Sequence, residues 1–122
     1  MLFRPESVTI EPECKITQWV IFKAPKNTFQ EGHTYHLVGN VDGFGRVSSP
    51  IKEYKREVST TDVKHVVITR SGRSYELHGE QDGLSKDAIY VLERWLHINR
   101  LSIENIKYLS FDKFVTEWGY PT

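Results

Sequence analysis

Two histidines and a carboxylate, His65, Glu76 and His78, lie on neighbouring strand-like runs of this chain. Imidazole and carboxylate ligate transition metals while leaving a coordination position open, and they exchange protons near neutral pH. The three flank a Ser71-Gly72 turn within Val66-Val67-Ile68-Thr69-Arg70-Ser71-Gly72-Arg73-Ser74-Tyr75-Glu76-Leu77-His78-Gly79, which reads as a β-hairpin. A two-residue turn pairs Arg70 with Arg73, Ile68 with Tyr75 and Val66 with Leu77. The opposite face then carries His65 against His78, Val67 against Glu76 and Thr69 against Ser74. A three-residue loop with a glycine bulge shifts every pair by one. The two-residue register gathers the apolar side chains and is the expected one.

Arg70 and Arg73 stand across the tip, and guanidinium forks suit carboxylates and phosphates. With Arg46, Tyr75 and Phe44 they form the candidate partner-binding set, and Lys64 lies nearby. The same set is basic and aromatic enough to grip a nucleic-acid backbone. No spacing matches a zinc signature, so no metal and no other cofactor is expected. His65, His78 and Glu76 are the candidates if a metal is bound. Gly43-Phe44-Gly45 lacks the Lys-Ser/Thr pair of a phosphate loop, and no serine sits in a G-x-S-x-G elbow.

The elements that must position these residues come mostly as strands first and helices second. Val8-Thr9-Ile10 and Lys15 to Lys23 read as extended, and Trp19-Val20-Ile21-Phe22 suits a strand buried on both faces. Residues 33–41 alternate, with Tyr35, Leu37 and Gly39 on one side and His36, Val38 and Asn40 on the other. Ile51 to Val58 is a further strand, whose Lys52-Glu53-Tyr54-Lys55-Arg56-Glu57 run suits a protected edge. Tyr35 to Gly43 and Tyr75 to Gly83 share the outline Y-x-L-x-G-x-x-D-G, either as two ordinary strand–turn units or as a duplicated half-barrel.

After Gly83 the period changes. Ala88, Val91, Leu92, Trp95 and Leu96 recur at helical spacing between a Ser85 N-cap and Asn99. Ile103 to Phe111 fits helix or strand. Ser110 caps a short helix carrying Phe114, Val115 and Trp118, closed by Gly119. The expectation is an α+β fold: a curved antiparallel sheet or small β-barrel followed by one long and one short C-terminal helix. All 122 residues form one domain, strand-rich over 7–80 and helical over 85–119.

Sixteen basic residues balance sixteen acidic ones, which argues against a strongly basic nucleic-acid binder and against an acidic mimic. Cys14 is the only cysteine, so neither a disulfide within the chain nor a multi-cysteine zinc site forms. It is expected to be a buried, inert thiol. No signal-like layout or membrane-length apolar run is present, so a cytoplasmic protein with no membrane contact is expected.

Residues from about 33 to 96 resemble a loose set of small bacterial and mobile-element domains with no assigned activity. The matching residues are Leu37-Val38-Gly39-Asn40-Val41, Ser48-Ser49-Pro50-Ile51, Thr69-Arg70-Ser71-Gly72-Arg73-Ser74-Tyr75-Glu76-Leu77 and Tyr90-Val91-Leu92-Glu93-Arg94-Trp95. The resemblance implies a compact β unit followed by a helix, and supplies no catalytic residue. The functional expectation is a small non-enzymatic protein-binding module, an inhibitor or adaptor of phage anti-defence or immunity type. Its alternatives are a nucleic-acid-binding regulator using the basic hairpin and a metal-dependent enzyme using the His/Glu cluster. The sequence leaves oligomeric state open.

Overall fold

Trp19-Val20-Ile21-Phe22 lies in strand β1 (Glu13–Pro25), and the structure covers it from both sides. Trp19 and Ile21 enter one core; Phe22 and Ala24 enter a second, with Val20 packed against it. The computed structural model describes residues 13–25, 33–79 and 83–118. The expected Val8-Thr9-Ile10 strand and the Gly119 helix stop lie outside those residues.

Six more strands follow: β2 (His33–Val41), β3 (Phe44–Val47), β4 (Ile51–Val58), β5 (Val63–Thr69), β6 (Ser74–Leu77) and β7 (Lys107–Leu109). The long helix α1 (Lys86–Ile98) precedes β7, and the short helix α2 (Phe111–Trp118) follows it. The domain is therefore α+β, with the long and short helices in the expected order. Its sheet runs β3-β2-β1-β6-β5-β4, with β7 also beside β1. The sheet is mixed rather than wholly antiparallel, because β1 and β6 run parallel. It is also open, since β3 and β4 end the order without pairing to each other.

β1 changes neighbours along its length. Residues 13–16 pair with β6, whereas Ile21, Phe22 and Lys23 pair with β7. Its pairing with β2 is interrupted between Thr17 and Val20, where Gln18 adopts a φ of 46°. The extra residue bends the strand, as β-bulges do. Asn40 holds the bend: its amide donates to Gln18 Oε1 at 2.8 Å and accepts from Ser85 Oγ at 2.8 Å. Ser85 in turn caps α1, accepting from the Ala88 amide at 3.1 Å. Strand bend and helix start are one hydrogen-bonded unit.

The alternation expected over β2 is borne out. Tyr35, Leu37 and Val41 face the first core, while Val38 faces the second. The second core is roofed by α1 through Ala88, Leu92 and Leu96, and Trp95 meets Phe22 edge-to-face at 5.3 Å. The first core is closed by α2, where Phe111 and Phe114 meet Trp19, Tyr35 and Tyr54 at ring separations of 5.7–6.1 Å. Trp118 belongs to the same packing, 5.4 Å from Tyr35. The ambiguous 103–111 stretch resolves into a 3-10 turn (Ile103–Asn105), then β7 and the start of α2.

Gly39 lies where β2 crosses the bend. A Cβ there would sit 2.9 Å from both Ile16 Cγ1 and the Thr17 carbonyl oxygen, and 3.0 Å from Trp19 Cα. Two of those neighbours are backbone atoms and cannot rotate away. Gly39→Ala is therefore expected to destabilise the fold by about 1–3 kcal/mol in urea unfolding.

His36 is buried between Phe22 and Trp95, with Nδ1 2.9 Å from the Ser48 carbonyl oxygen and Nε2 2.8 Å from Thr34 Oγ1. Burial holds its pKa below the ordinary imidazole value, the Ser48 hydrogen bond opposes that shift, and Arg70 reinforces it. A depressed pKa means that the unfolded chain takes up the proton first. Stability is thus complete above about pH 6.5 and falls as pH drops through the lower, folded value. His65, lowered by burial and by Arg56, adds to the same fall. Melting temperature is expected to decline on acidification from neutrality, with a shallower decline in His36→Gln; identical slopes would contradict the assignment.

Candidate binding surface on the β5–β6 hairpin

The hairpin closes through a three-residue loop. Thr69 N–H donates to the Arg73 carbonyl at 3.0 Å, and Gly72 N–H donates to the Thr69 carbonyl at 2.9 Å. Gly72 has a φ of 95°, the left-handed conformation that a glycine bulge requires. The observed pairs are Val66 with Glu76, Val67 with Tyr75 and Ile68 with Ser74. This corrects the two-residue register by one residue and exchanges the faces. The loop also packs against the β3–β4 connection, where Arg70 N–H donates to the Pro50 carbonyl at 2.8 Å and Ser49 Oγ reaches Ser71 Oγ at 3.1 Å.

One consequence concerns the partner-binding set. Val67, Thr69, Arg73 and Tyr75 are buried, and Arg46 joins them at 3 % exposure. Arg46 Nη1 donates to Cys14 Sγ at 3.2 Å, so the single cysteine is buried against a guanidinium. Burial raises the Tyr75 pKa, while hydrogen bonds and charge from Arg46 and Arg73 pull it back. The structure thus gathers Arg46, Arg73 and Tyr75 into the interior. Arg70 is exposed at the tip, and Phe44 is 48 % exposed on β3, the strand beneath α1. Of the set expected to meet a partner, these two face solvent.

The His/Glu cluster is divided. His65 turns inward, with Nδ1 2.6 Å from the Tyr54 hydroxyl and its ring 5.0 Å from Phe111. His78 hydrogen-bonds Glu76 on the outward side, where Lys64 Nζ lies 3.5 Å from Glu76 Oε1. The His78 hydrogen bond holds the Glu76 carboxyl below its usual range; burial opposes that shift, and the charges of His78 and Lys64 reinforce it. Among the described residues no group of three His, Cys, Asp or Glu side chains is placed to hold a metal.

The outward face carries a different site. Val66 and Ile68, half-buried, form the apolar floor of a cavity of about 480 Å³. Lys15 from β1, Lys55 and Glu57 from β4, and Lys64 from β5 stand around it. In the sequence the 52–57 charge run reads only as a protected edge. Lys15 was missed because it reaches this face through the parallel β1–β6 pairing, which no local pattern announces. The arrangement is an apolar centre within alternating positive and negative side chains on a hydrogen-bonded sheet.

Fold and site together define an α+β domain with an open mixed sheet, one of whose faces is a charged, solvent-exposed recess. No family model, curated protein or solved structure matches the chain. No helix among the described residues is long and apolar enough to cross a membrane.

The inward and outward arginines separate in a stability measurement. Arg73→Ala removes a buried guanidinium that hydrogen-bonds Tyr75, and a cost of about 2 kcal/mol is expected in urea unfolding. Arg70→Ala is expected to stay within about 0.5 kcal/mol of the parent. Equal costs would show that the two arginines share one face after all.

Proposed function

We propose that the protein is a non-enzymatic protein-binding module, an inhibitor or adaptor of phage anti-defence or immunity type. It docks through the outward face of β4, β5, β6 and the start of β1. The supporting observation is the recess itself, with Val66 and Ile68 at its centre and Lys15, Lys55, Lys64 and Glu57 around them. An apolar centre within a polar rim is the anatomy of protein–protein contacts. Mixed charges at such a rim select the partner and fix its orientation more than they add affinity. Four hydrogen-bonded strands hold the surface, so little ordering cost falls on binding. The partner this chemistry suits presents a small apolar protrusion flanked by both acidic and basic side chains.

Nucleic-acid binding through the hairpin has less to work with, because Arg46 and Arg73 are buried and Lys64 pairs with Glu76.

The test compares parent protein with a Lys15→Glu/Lys55→Glu variant, whose changes lie at exposed positions. Both are used for affinity capture from host lysate, with and without nuclease, followed by titration of the captured partner. The expected result is one stoichiometric, nuclease-resistant protein, bound about tenfold or more weakly by the variant while melting temperature is unchanged. A partner bound equally well by both would remove this face from the account. Capture that disappears with nuclease and weakens steeply with salt would favour nucleic acid.

A further inference from the structure

Strand β4 ends the sheet, and β5 is its one ladder neighbour among the described residues. In an antiparallel ladder one residue turns both backbone groups to one side, and the next turns both to the other. Ser59 N–H donates to the Asp62 carbonyl at 2.8 Å, where the β4–β5 ladder begins. Counting back in twos, Glu57 and Lys55 turn their backbone groups to Lys64 and Val66. The β5–β6 loop gives the same answer from the far side. Thr69 N–H bonds the Arg73 carbonyl, so Thr69 and Val67 turn to β6 and Val66 is left for β4. Arg56 and Val58 therefore direct N–H and C=O away from the sheet, and both residues are exposed.

The side chains of this stretch define what fits beside it. Val58, 66 % exposed, pairs across the ladder with Val63, 40 % exposed, so an exposed apolar pair stands at the edge. Arg56 shares that face. Lys55 and Glu57 stand on the other face, at the rim of the recess. An antiparallel strand added to β4 would meet Lys55 and Glu57 in non-hydrogen-bonded pairs, where side chains come closest. Opposite charges stabilise such a pair and like charges destabilise it. Lys55 also lies 3.9 Å from Glu53, an exposed contact that is worth little in water. Against Val58, Glu57, Arg56 and Lys55, the fitting segment therefore reads apolar, basic, acidic, acidic.

A second copy of β4 does not supply that order. A two-fold register centred on Lys55, Arg56 or Glu57 opposes identical charges. One centred on Val58 pairs only the end of the strand with the β4–β5 turn.

We propose that β4 is a docking edge for an extended segment of a partner protein, which adds antiparallel as a further strand and reads apolar–basic–acidic–acidic. This rests on the reading of the outward face as a protein-docking surface, since Lys55 and Glu57 belong to both the recess rim and the edge. Charges that keep plain apolar strands and copies of the chain off the edge thus admit one complementary sequence.

The probe is the blocked hexapeptide Thr-Val-Lys-Glu-Glu-Thr, titrated into the isotope-labelled protein and followed by NMR. Shifts centred on residues 55–58 are expected, with a Kd of about 1 mM or tighter. The charge-exchanged peptide Thr-Val-Glu-Lys-Lys-Thr is expected to bind about tenfold more weakly. N-methylation of the peptide's Val and first Glu, whose amides face β4, is expected to abolish binding. Methylation of its Lys and second Glu, whose amides face away, is expected to preserve it. No shift at about 5 mM peptide would overturn the proposal, and so would indifference to the charge exchange or to the methylation site.

In the full protein, Arg56→Pro removes an edge donor and spares the bonds to β5. It is expected to lose the lysate partner while the melting temperature stays near the parent's. A partner held by Arg56→Pro yet lost by Lys15→Glu/Lys55→Glu would overturn strand addition and leave the recess reading standing. The peptide comparison decides the matter even for a variant that folds poorly.

Discussion

The hydrogen-bonded bend in β1 is the constraint on which the rest of the structure depends. One strand serves two half-sheets, with β6 beside its first four residues and β7 beside its later ones. Without the bulge at Gln18 the strand could not turn from one neighbour to the other. Asn40 secures that turn and ties it to Ser85, so the same contacts decide where α1 begins. The division into two cores follows directly. Trp19 and Ile21 look towards α2, Phe22 and Ala24 towards α1, and neither helix has a sheet to cover unless β1 holds both halves.

The same strand determines what the hairpin offers to solvent. Because β6 lies parallel to the start of β1, Cys14 pairs with Tyr75, and both side chains enter the first core beside Arg46. Alternation then turns Ser74 and Glu76 outward, next to Lys15. The basic residues that look most suited to binding are used to line the interior. Side chains with no individual distinction, two β-branched residues and a few lysines and glutamates, form the exposed recess. A hydrogen-bonded sheet makes that recess a fixed shape, which is what a docking surface requires.

Much of this fold was legible in the sequence, and the failures have identifiable causes. An apolar run with no alternation meant burial on both faces, and β1 shows it. Ser85, the 88–96 stripe and Asn99 placed α1 within a residue at each end, because caps and period agreed. The hairpin register was misread because both registers leave an apolar row: Val66, Ile68, Tyr75 and Leu77 in one, Val67 and Tyr75 in the other. Packing of Val67 and Thr69 against distant strands decided between them, and no local rule contains that information. The Y-x-L-x-G outlines proved unequal: Gly39 is wedged against β1, whereas Gly79 has open space around it and a φ of 72°. The recess was illegible for the same reason as the parallel pairing, since β1 closes one side of it from a distant part of the chain.

Native-state hydrogen exchange tests the role of β1 most directly, because it reads the opening free energy of each backbone amide. The β1 amides on both sides of Gln18 are expected to exchange only through global unfolding, in common with the central amides of β2 and β5. Residues 13–16 exchanging with β4–β6 at a clearly lower free energy than residues 20–23 would contradict it. The two half-sheets would then open separately, and β1 would not be the element that makes them one structure.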